Sequence, residues 1–358
     1  MNPEFQRLMA DAAALVRGGD LHAATAAIQA ALRDRVAGAP EMAPAARGIV
    51  IDVPARELRQ PSLPREIAGA REAARASASP DGTFTAGRFA DGRSGRNYKL
   101  YTPPQAGARA LPLVVMLHGC TQGPDDFALG TGMNEAACKQ GFFVLYPAQS
   151  QQANPQRCWN WFKHNHQQRG RGEPALLAAM TRDVIARHAI DPARVYVAGL
   201  SAGGAMAAIL GETYPDLYAA VGVHSGLAAG AARDLPSALA AMRSGAAGAT
   251  RREGPPTIVF HGDADKTVHP ANGEHVITGR VAASQGEAEV DRQRAIGGRG
   301  YTRRVHRSPE GGVLAEHWVV HGSGHAWSGG SSQGSFTDPG GPDATGHMLS
   351  FFLQHARR

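Results

Sequence analysis

The sequence predicts an α/β architecture, a mostly parallel sheet with helices on both faces, and three observations predict it. Short apolar runs near 113–117, 142–146, 194–198, 218–223, 257–260 and 316–320 alternate with helix-like stretches near 125–139, 174–189, 202–213, 272–285 and 344–356. Such alternation is the signature of parallel strands joined by crossover helices. A strand, a turn at Asp91-Gly92-Arg93-Ser94-Gly95 and a second strand open the sheet as an antiparallel hairpin from Thr83. The residues that carry chemistry, Ser201, an acid at Asp263 or Asp265, and His325, each follow a strand. Open α/β sheets bind ligands on the loops at the carboxyl ends of their strands.

Ahead of this body, Phe5, Leu8, Met9, Ala12, Leu15 and Val16 recur at helical spacing, Gly18-Gly19-Asp20 breaks the pattern, and Leu21, Ala24, Ile28 and Leu32 resume it. Residues 1–36 are therefore expected to form a helical hairpin, similar to half of a tetratricopeptide-type repeat. Its apolar stripe must be buried on the body or on a second subunit, which makes it a candidate surface for homo-oligomers. Residues 37–81, with scattered Pro, Ala and Arg, read as a linker, and residues 82–358 as the catalytic domain.

In that domain Arg194-Val195-Tyr196-Val197-Ala198 reads as a strand, Gly199-Leu200-Ser201-Ala202-Gly203 as a sharp turn, and the residues after it as a helix. Strand, G-x-S-x-G, helix is the nucleophile elbow of the α/β-hydrolase fold, in which a strained turn raises the serine hydroxyl above the sheet. A serine needs a base, an acid to orient it and an oxyanion hole. Leu113 to Leu117 runs into His118-Gly119-Cys120-Thr121-Gln122, where one oxyanion amide is expected from Cys120, with Thr121 next, and the other from Ala202. His118 is expected to brace this loop by hydrogen bonding. Thr257-Ile258-Val259-Phe260 empties into His261-Gly262-Asp263-Ala264-Asp265, where Asp263 and Asp265 compete as the acid. Of the fifteen histidines, His325 lies in the Gly-rich loop after the last strand and is the expected base, while His321 reads as structural.

Five ordered motifs carry a family resemblance. His118-Gly119-Cys120-Thr121-Gln122, Cys158-Trp159-Asn160-Trp161, Gly199-Leu200-Ser201-Ala202-Gly203-Gly204, His261-Gly262-x-x-Asp265-x-x-Val268 and Gly324-His325-Ala326-Trp327-Ser328-Gly329-Gly330 together resemble the polyhydroxybutyrate depolymerase family of esterases. That family is related to feruloyl and acetylxylan esterases, and the resemblance spans about residues 82 to 356. It implies Asp265 as the triad acid, and ester hydrolysis without cofactor or metal. Short hydroxyalkanoate esters, as oligomer or polymer, are the expected substrate, with feruloyl or acetyl esters as the alternative. A reading of another class is a non-catalytic binding or scaffold protein on a hydrolase fold. Trp159, Trp161 and Trp327 are candidates for the rim of the substrate pocket, since aromatic faces offer contact area to an ester chain. The resemblance favours a bridge between Cys120 and Cys158 and a reducing compartment disfavours it, so both states stay open. Cys138 reads as a small buried hydrophobe.

Composition excludes other classes. The net charge of +6 comes from arginines scattered among Ala and Gly, with no basic stripe interleaved with aromatics, so nucleic-acid binding is not expected. No run has the length of a membrane span, and Met1-Asn2-Pro3-Glu4-Phe5 opens no export signal, which leads to the expectation of a cytoplasmic protein, with an extracellular one as the alternative.

Overall fold

A computed structural model describes residues 81–92, 95–248, 254–282, 284, 287–296 and 298–357. The hairpin expected over residues 1–36, and nearly all of the linker expected over 37–81, lie outside the described residues.

The described chain opens with the antiparallel pair β1 (Thr83–Ala90) and β2 (Gly95–Thr102). There follow β3 (Leu111–Leu117), helices α1 (Pro124–Thr131) and α2 (Met133–Gln140), β4 (Phe143–Pro147), α3 (Gly172–Arg187), β5 (Ile190–Leu200), α4 (Ala202–Thr213) and β6 (Ala220–His224). The second half comprises α5 (Leu235–Ser244), β7 (Thr257–Gly262), α6 (Ala271–Val281), β8 (Glu289–Arg294), β9 (Gly300–Arg307), β10 (Val313–Val320), the short strands β11 (Trp327–Ser328) and β12 (Thr337–Asp338), and α7 (Ala344–Phe352). The main sheet runs β1-β2-β4-β3-β5-β6-β7-β10-β9-β8. Its centre, from β4 to β10, is parallel, and antiparallel pairs flank it on both sides.

The central strands are apolar throughout because both of their faces are covered. All residues of β3 are buried, and they alternate between two cores. Leu113, Val115 and Leu117 join Val197, Val223 and Val259 under α3, α4 and α6, whereas Val114 and Met116 join Ala198, Ile258 and Phe260 under α1, α2 and α7. This two-residue period hangs helices on both faces and leaves the strand ends open for loops.

Several elements differ from expectation, the unanticipated strands β9, β11 and β12 among them, and three differ for a plain physical reason. The helix expected over 125–139 is two helices, because Gly132 adopts φ 62° and its amide caps α1 on the Ala128 carbonyl. Helix α5 was not anticipated. It buries Ala238 and Ala241 and exposes Leu235 and Leu239, so its apolar stripe points the wrong way for a pattern search. Strand β8 reads Glu-Val-Asp-Arg-Gln-Arg and is almost wholly exposed, the charged composition that protects a sheet edge from further pairing.

Packing is very tight where β5 turns into α4. A Cβ on Gly203 would sit 2.0 Å from the Leu117 carbonyl oxygen and 2.6 Å from that of His118, and one on Gly199 would sit 2.4 Å from the Gly203 carbonyl carbon. Backbone meets backbone here, so no side chain can move aside. Gly203→Ala, although favoured by helix propensity, is expected to destabilise the protein by about 1–3 kcal/mol or more. The measurement is the midpoint of urea unfolding, and an unchanged midpoint would contradict this packing.

Candidate active site

Ser201 sits between β5 and α4 with φ 58° and ψ −120°, a conformation that non-glycine residues rarely adopt. It is held there from two sides. Its amide donates to the His224 carbonyl at 2.9 Å, and Gly203 presses the first turn of α4 onto the end of β3. Gly119 of the neighbouring loop comes so close that a Cβ on it would lie 3.7 Å from the Ser201 Cβ.

That loop has its amides sorted by their partners. The Gly119 amide donates to Gln122 Oε1 at 2.9 Å, and the Thr121 amide to the Gln156 carbonyl at 2.6 Å. Thr121 is therefore not an oxyanion donor as expected, since its N–H is already committed. Between them, the Cys120 amide meets no acceptor among the described residues, and neither does the Ala202 amide at the start of α4. His118 braces the loop: its Nδ1–H donates to the Gly119 carbonyl at 2.7 Å, and its Nε2 accepts from the Gln149 amide at 3.1 Å. Burial lowers its pKa to about 4, so the ring is neutral and this donor–acceptor pattern is consistent.

The two aspartates have separate partners. Asp265 Oδ2 takes the Nδ1–H of His325 at 2.7 Å, while Oδ1 accepts the amides of Thr267 at 2.8 Å and Val268 at 2.9 Å. Burial pushes this carboxyl up, but hydrogen bonds from His261, His325 and the Val268 amide outweigh it and hold it far below the usual carboxylate range. Asp263 instead pairs at the surface with His321 Nδ1 at 2.8 Å and the Gly322 amide at 2.6 Å. Asp265 and His325 follow β7 and β10, and Ser201 follows β5, so all three lie at the carboxyl edge of the parallel strands.

Cys120 and Cys158 are joined by a disulfide, which ties the His118–Gln122 loop to the Cys158-Trp159-Asn160-Trp161 segment. Cys138 is half-buried against the second core, less deeply than expected. The three tryptophans do not form a pocket rim. Trp159 is fully buried and donates to the His118 carbonyl at 3.0 Å, Trp161 is buried in the first core, and Trp327 is buried against Phe127 with its N–H on Thr345 Oγ1 at 3.1 Å. Trp159 braces the His118 loop from behind and Trp327 packs within the loop that follows His325, and a side chain closed off from solvent has no face to offer a substrate.

Four residues that support the site were not singled out by sequence reasoning. Gln122 accepts from Gly119 and donates through Nε2 to Asp126 at 2.8 Å and the Ser335 carbonyl at 3.1 Å, locking the oxyanion loop to α1 and to the loop beyond His325. Gln149 and the buried Glu173 form a polar knot under the bridged segment, where Glu173 accepts from the Asn160 amide at 2.7 Å and from Gln149 at 2.5 Å. His224 stacks between Phe260 and Trp327 and accepts the Ser328 amide at 2.9 Å, and burial holds its pKa far down. Only Gln122 fell within a quoted motif, and no spacing rule announces such long-range partners. Among the described residues no three His, Cys, Asp or Glu side chains converge as metal ligands would.

Comparison with known proteins supplies a family and a fold. The family described as Esterase PHB depolymerase matches residues 96–297. The chain is 33% identical over 243 residues to poly(3-hydroxyalkanoate) depolymerase C of Paucimonas lemoignei, covering 64% of this chain and 56% of that protein. It is 29% identical over 210 residues to feruloyl esterase B of Thermothelomyces thermophilus, covering 53% of this chain and 70% of the relative. The chain thus spans little more than half the length of the first of these relatives. Among solved structures, an acetyl xylan esterase from Aspergillus awamori superimposes with a TM-score of 0.59 at 18% identity, over 75% of this chain and 99% of that one. That likeness confirms the α/β-hydrolase fold.

The separate partners of the aspartates set up a direct comparison. Asp265→Asn is expected to lower the turnover of a chromogenic ester by about 10²- to 10⁴-fold, since an amide favours the wrong imidazole tautomer, with little change in melting temperature. Asp263→Asn is expected to cost little. The reverse ranking in steady-state kinetics would move the acid by two positions.

Proposed function

The chain belongs to the Esterase PHB depolymerase family, and on that premise we propose that it hydrolyses carboxylic esters through an acyl-enzyme on Ser201. The observation that carries this reading is the buried Asp265–His325 hydrogen bond of 2.7 Å, at the same sheet edge as the strained Ser201 turn. His325 takes the hydroxyl proton as Ser201 Oγ attacks the ester carbonyl, and Asp265 stabilises the imidazolium that forms. The amides of Cys120 and Ala202 receive the negative charge that develops on the carbonyl oxygen. His325 then returns the proton to the departing alkoxide, and water attacks the acyl-enzyme by the same route in reverse. Retention of a strained serine beside a complete acid–base pair also disfavours the scaffold reading, which has no use for either.

Short 3-hydroxyalkanoate esters, as soluble oligomer or polymer, are the substrate class, supported by the family and by the relative in Paucimonas lemoignei. Feruloyl or acetyl esters of plant polysaccharide are the second reading, supported by the feruloyl esterase B relative and by a relative named probable acetylxylan esterase A. The Cys120–Cys158 bridge favours an oxidising compartment, outside the cytoplasm, over the cytoplasmic placement expected from the sequence. Among the described residues no helix is long and apolar enough to cross a membrane.

Ser201→Ala is expected to fold normally and to lose hydrolysis by about 10⁴-fold or more, because removal of the nucleophile leaves only binding and oxyanion stabilisation. Comparable turnover in this variant would end the mechanism. Rates on hydroxybutyrate oligomers, feruloyl esters and acetylated xylan are expected to rank in that order, and a preference for either of the latter two would select the second substrate reading.

A further inference from the structure

Behind the triad acid lies a chain of buried histidines that the mechanism above does not use. His261, on β7, and His317, on β10, are each only 1% exposed. His261 Nε2 lies 2.9 Å from the Val268 carbonyl oxygen and 3.4 Å from Asp265 Oδ2. Both neighbours are acceptors, so this nitrogen carries the proton and shares it between them. On its other side, His261 Nδ1 has no hydrogen-bond partner among the described residues, and neither has either ring nitrogen of His317. His261 Nδ1 and His317 Nε2 both lie near one point. A Cβ on Gly273 of α6 would lie 3.1 Å from His261 Nδ1 and 3.0 Å from His317 Nε2. The far nitrogen of His317, Nδ1, is 3.4 Å from Glu274 Oε1, a carboxylate held down to about 2 chiefly by that ring and also by Arg304.

We propose that His261 is a positioning residue for the triad carboxylate, a second N–H donor acting on Asp265 from behind, and that His317 and Glu274 fix the nitrogen on which its proton sits. Glu274 draws one ring proton of His317 to Nδ1. The unpartnered His261 Nδ1 and His317 Nε2 both border the space beside Gly273, and with two acceptors at its Nε2 His261 keeps its proton there, toward Asp265 and the Val268 carbonyl. His224 on β6 and His325 are the other titratable groups that act on this corner, and His306 and Arg304 on β9 act on its outer end. Asp265 Oδ2 is thus shared by two rings, and the donor from behind limits how strongly it draws on His325. Gly273 leaves the space through which the chain runs.

The inference rests on the serine-esterase reading, and the test separates the two. His261→Leu removes the donor, His261→Gln places an amide N–H near the lost Nε2, and Gly273→Ala closes the gap without touching either ring. Each is compared with the native protein in kcat, KM and the pH profile of kcat/KM on a chromogenic ester, and by the proton resonance of the His325 Nδ1–H in protein labelled with 15N-histidine. His261→Leu is expected to lower kcat by about tenfold at nearly constant KM, to move the acid limb of kcat/KM up by about half a pH unit, and to shift the resonance downfield, because an unshared carboxylate binds the His325 proton more tightly. His261→Gln is expected to restore most of each change, and Gly273→Ala to follow His261→Leu in direction. An acid limb and a resonance unmoved in both His261→Leu and Gly273→Ala would overturn the proposal, as would a glutamine variant indistinguishable from leucine. If His261→Leu does not fold, the glutamine and alanine variants decide. The resonance needs no turnover, so a native protein without esterase activity would sink the functional reading and leave this test intact.

Discussion

The carbonyls of Leu117 and His118 at the end of β3 lie against the first turn of α4 at a distance that only a glycine Cα tolerates. That contact governs the rest of the site. It places the start of α4 directly above β3, so the chain must leave β5 through a turn tight enough to drive Ser201 to φ 58°. It also sets the Ala202 amide beside the loop that begins at His118, so the two amides proposed to hold the oxyanion come from segments distant in sequence. The strain at Ser201 costs on the order of 1–3 kcal/mol and persists because the parallel core on both sides leaves the turn no room to relax.

The second half of the site depends on charge held in a buried place. A carboxylate under the surface is costly unless every oxygen is hydrogen-bonded, and Asp265 satisfies this with two backbone amides and two imidazoles. The same saturation fixes its orientation and so fixes the ring of His325. Asp263, two residues earlier, is more exposed and ties His321 and Gly322 at the base of the His325 loop. Arg299 and Asp338 extend this surface clamp through the Gly322 carbonyl and the Ser323 hydroxyl. Two adjacent acid–histidine pairs thus divide the work, one buried and facing the site, the other anchoring the loop that carries the base.

Much of this was legible in the sequence, and what was not has identifiable causes. The parallel strands were plain because burial on both faces makes them continuously apolar, as Leu113 to Leu117 shows. Ser201 was plain because the elbow needs glycine at fixed positions, whereas Asp265 over Asp263 was implied only by the family resemblance, and the structure sets Asp265 against His325. Helix α5 escaped because its buried side is alanine and its leucines face outward, although Asp234, Pro236 and Ser237 did spell a capped start. Strand β8 escaped because its existence depends on β9 as a partner and not on any pattern of its own. The tryptophans were misjudged for a related reason: composition shows that an aromatic is present, but only packing shows which of its faces remains open. The hydrogen-bond roles of Gln122, Glu173 and His261 belong to the same class, since each joins segments that sequence distance keeps apart.

The account stands or falls on the reactivity of a single hydroxyl. Treatment of the native protein with a fluorophosphonate, followed by peptide mass spectrometry, measures it without any assumption about the natural substrate. The account predicts one adduct per chain, on Ser201, formed far more slowly when His325 is replaced by alanine and absent in Ser201→Ala. A folded native protein that takes up no label, or takes it up on another residue, would contradict it.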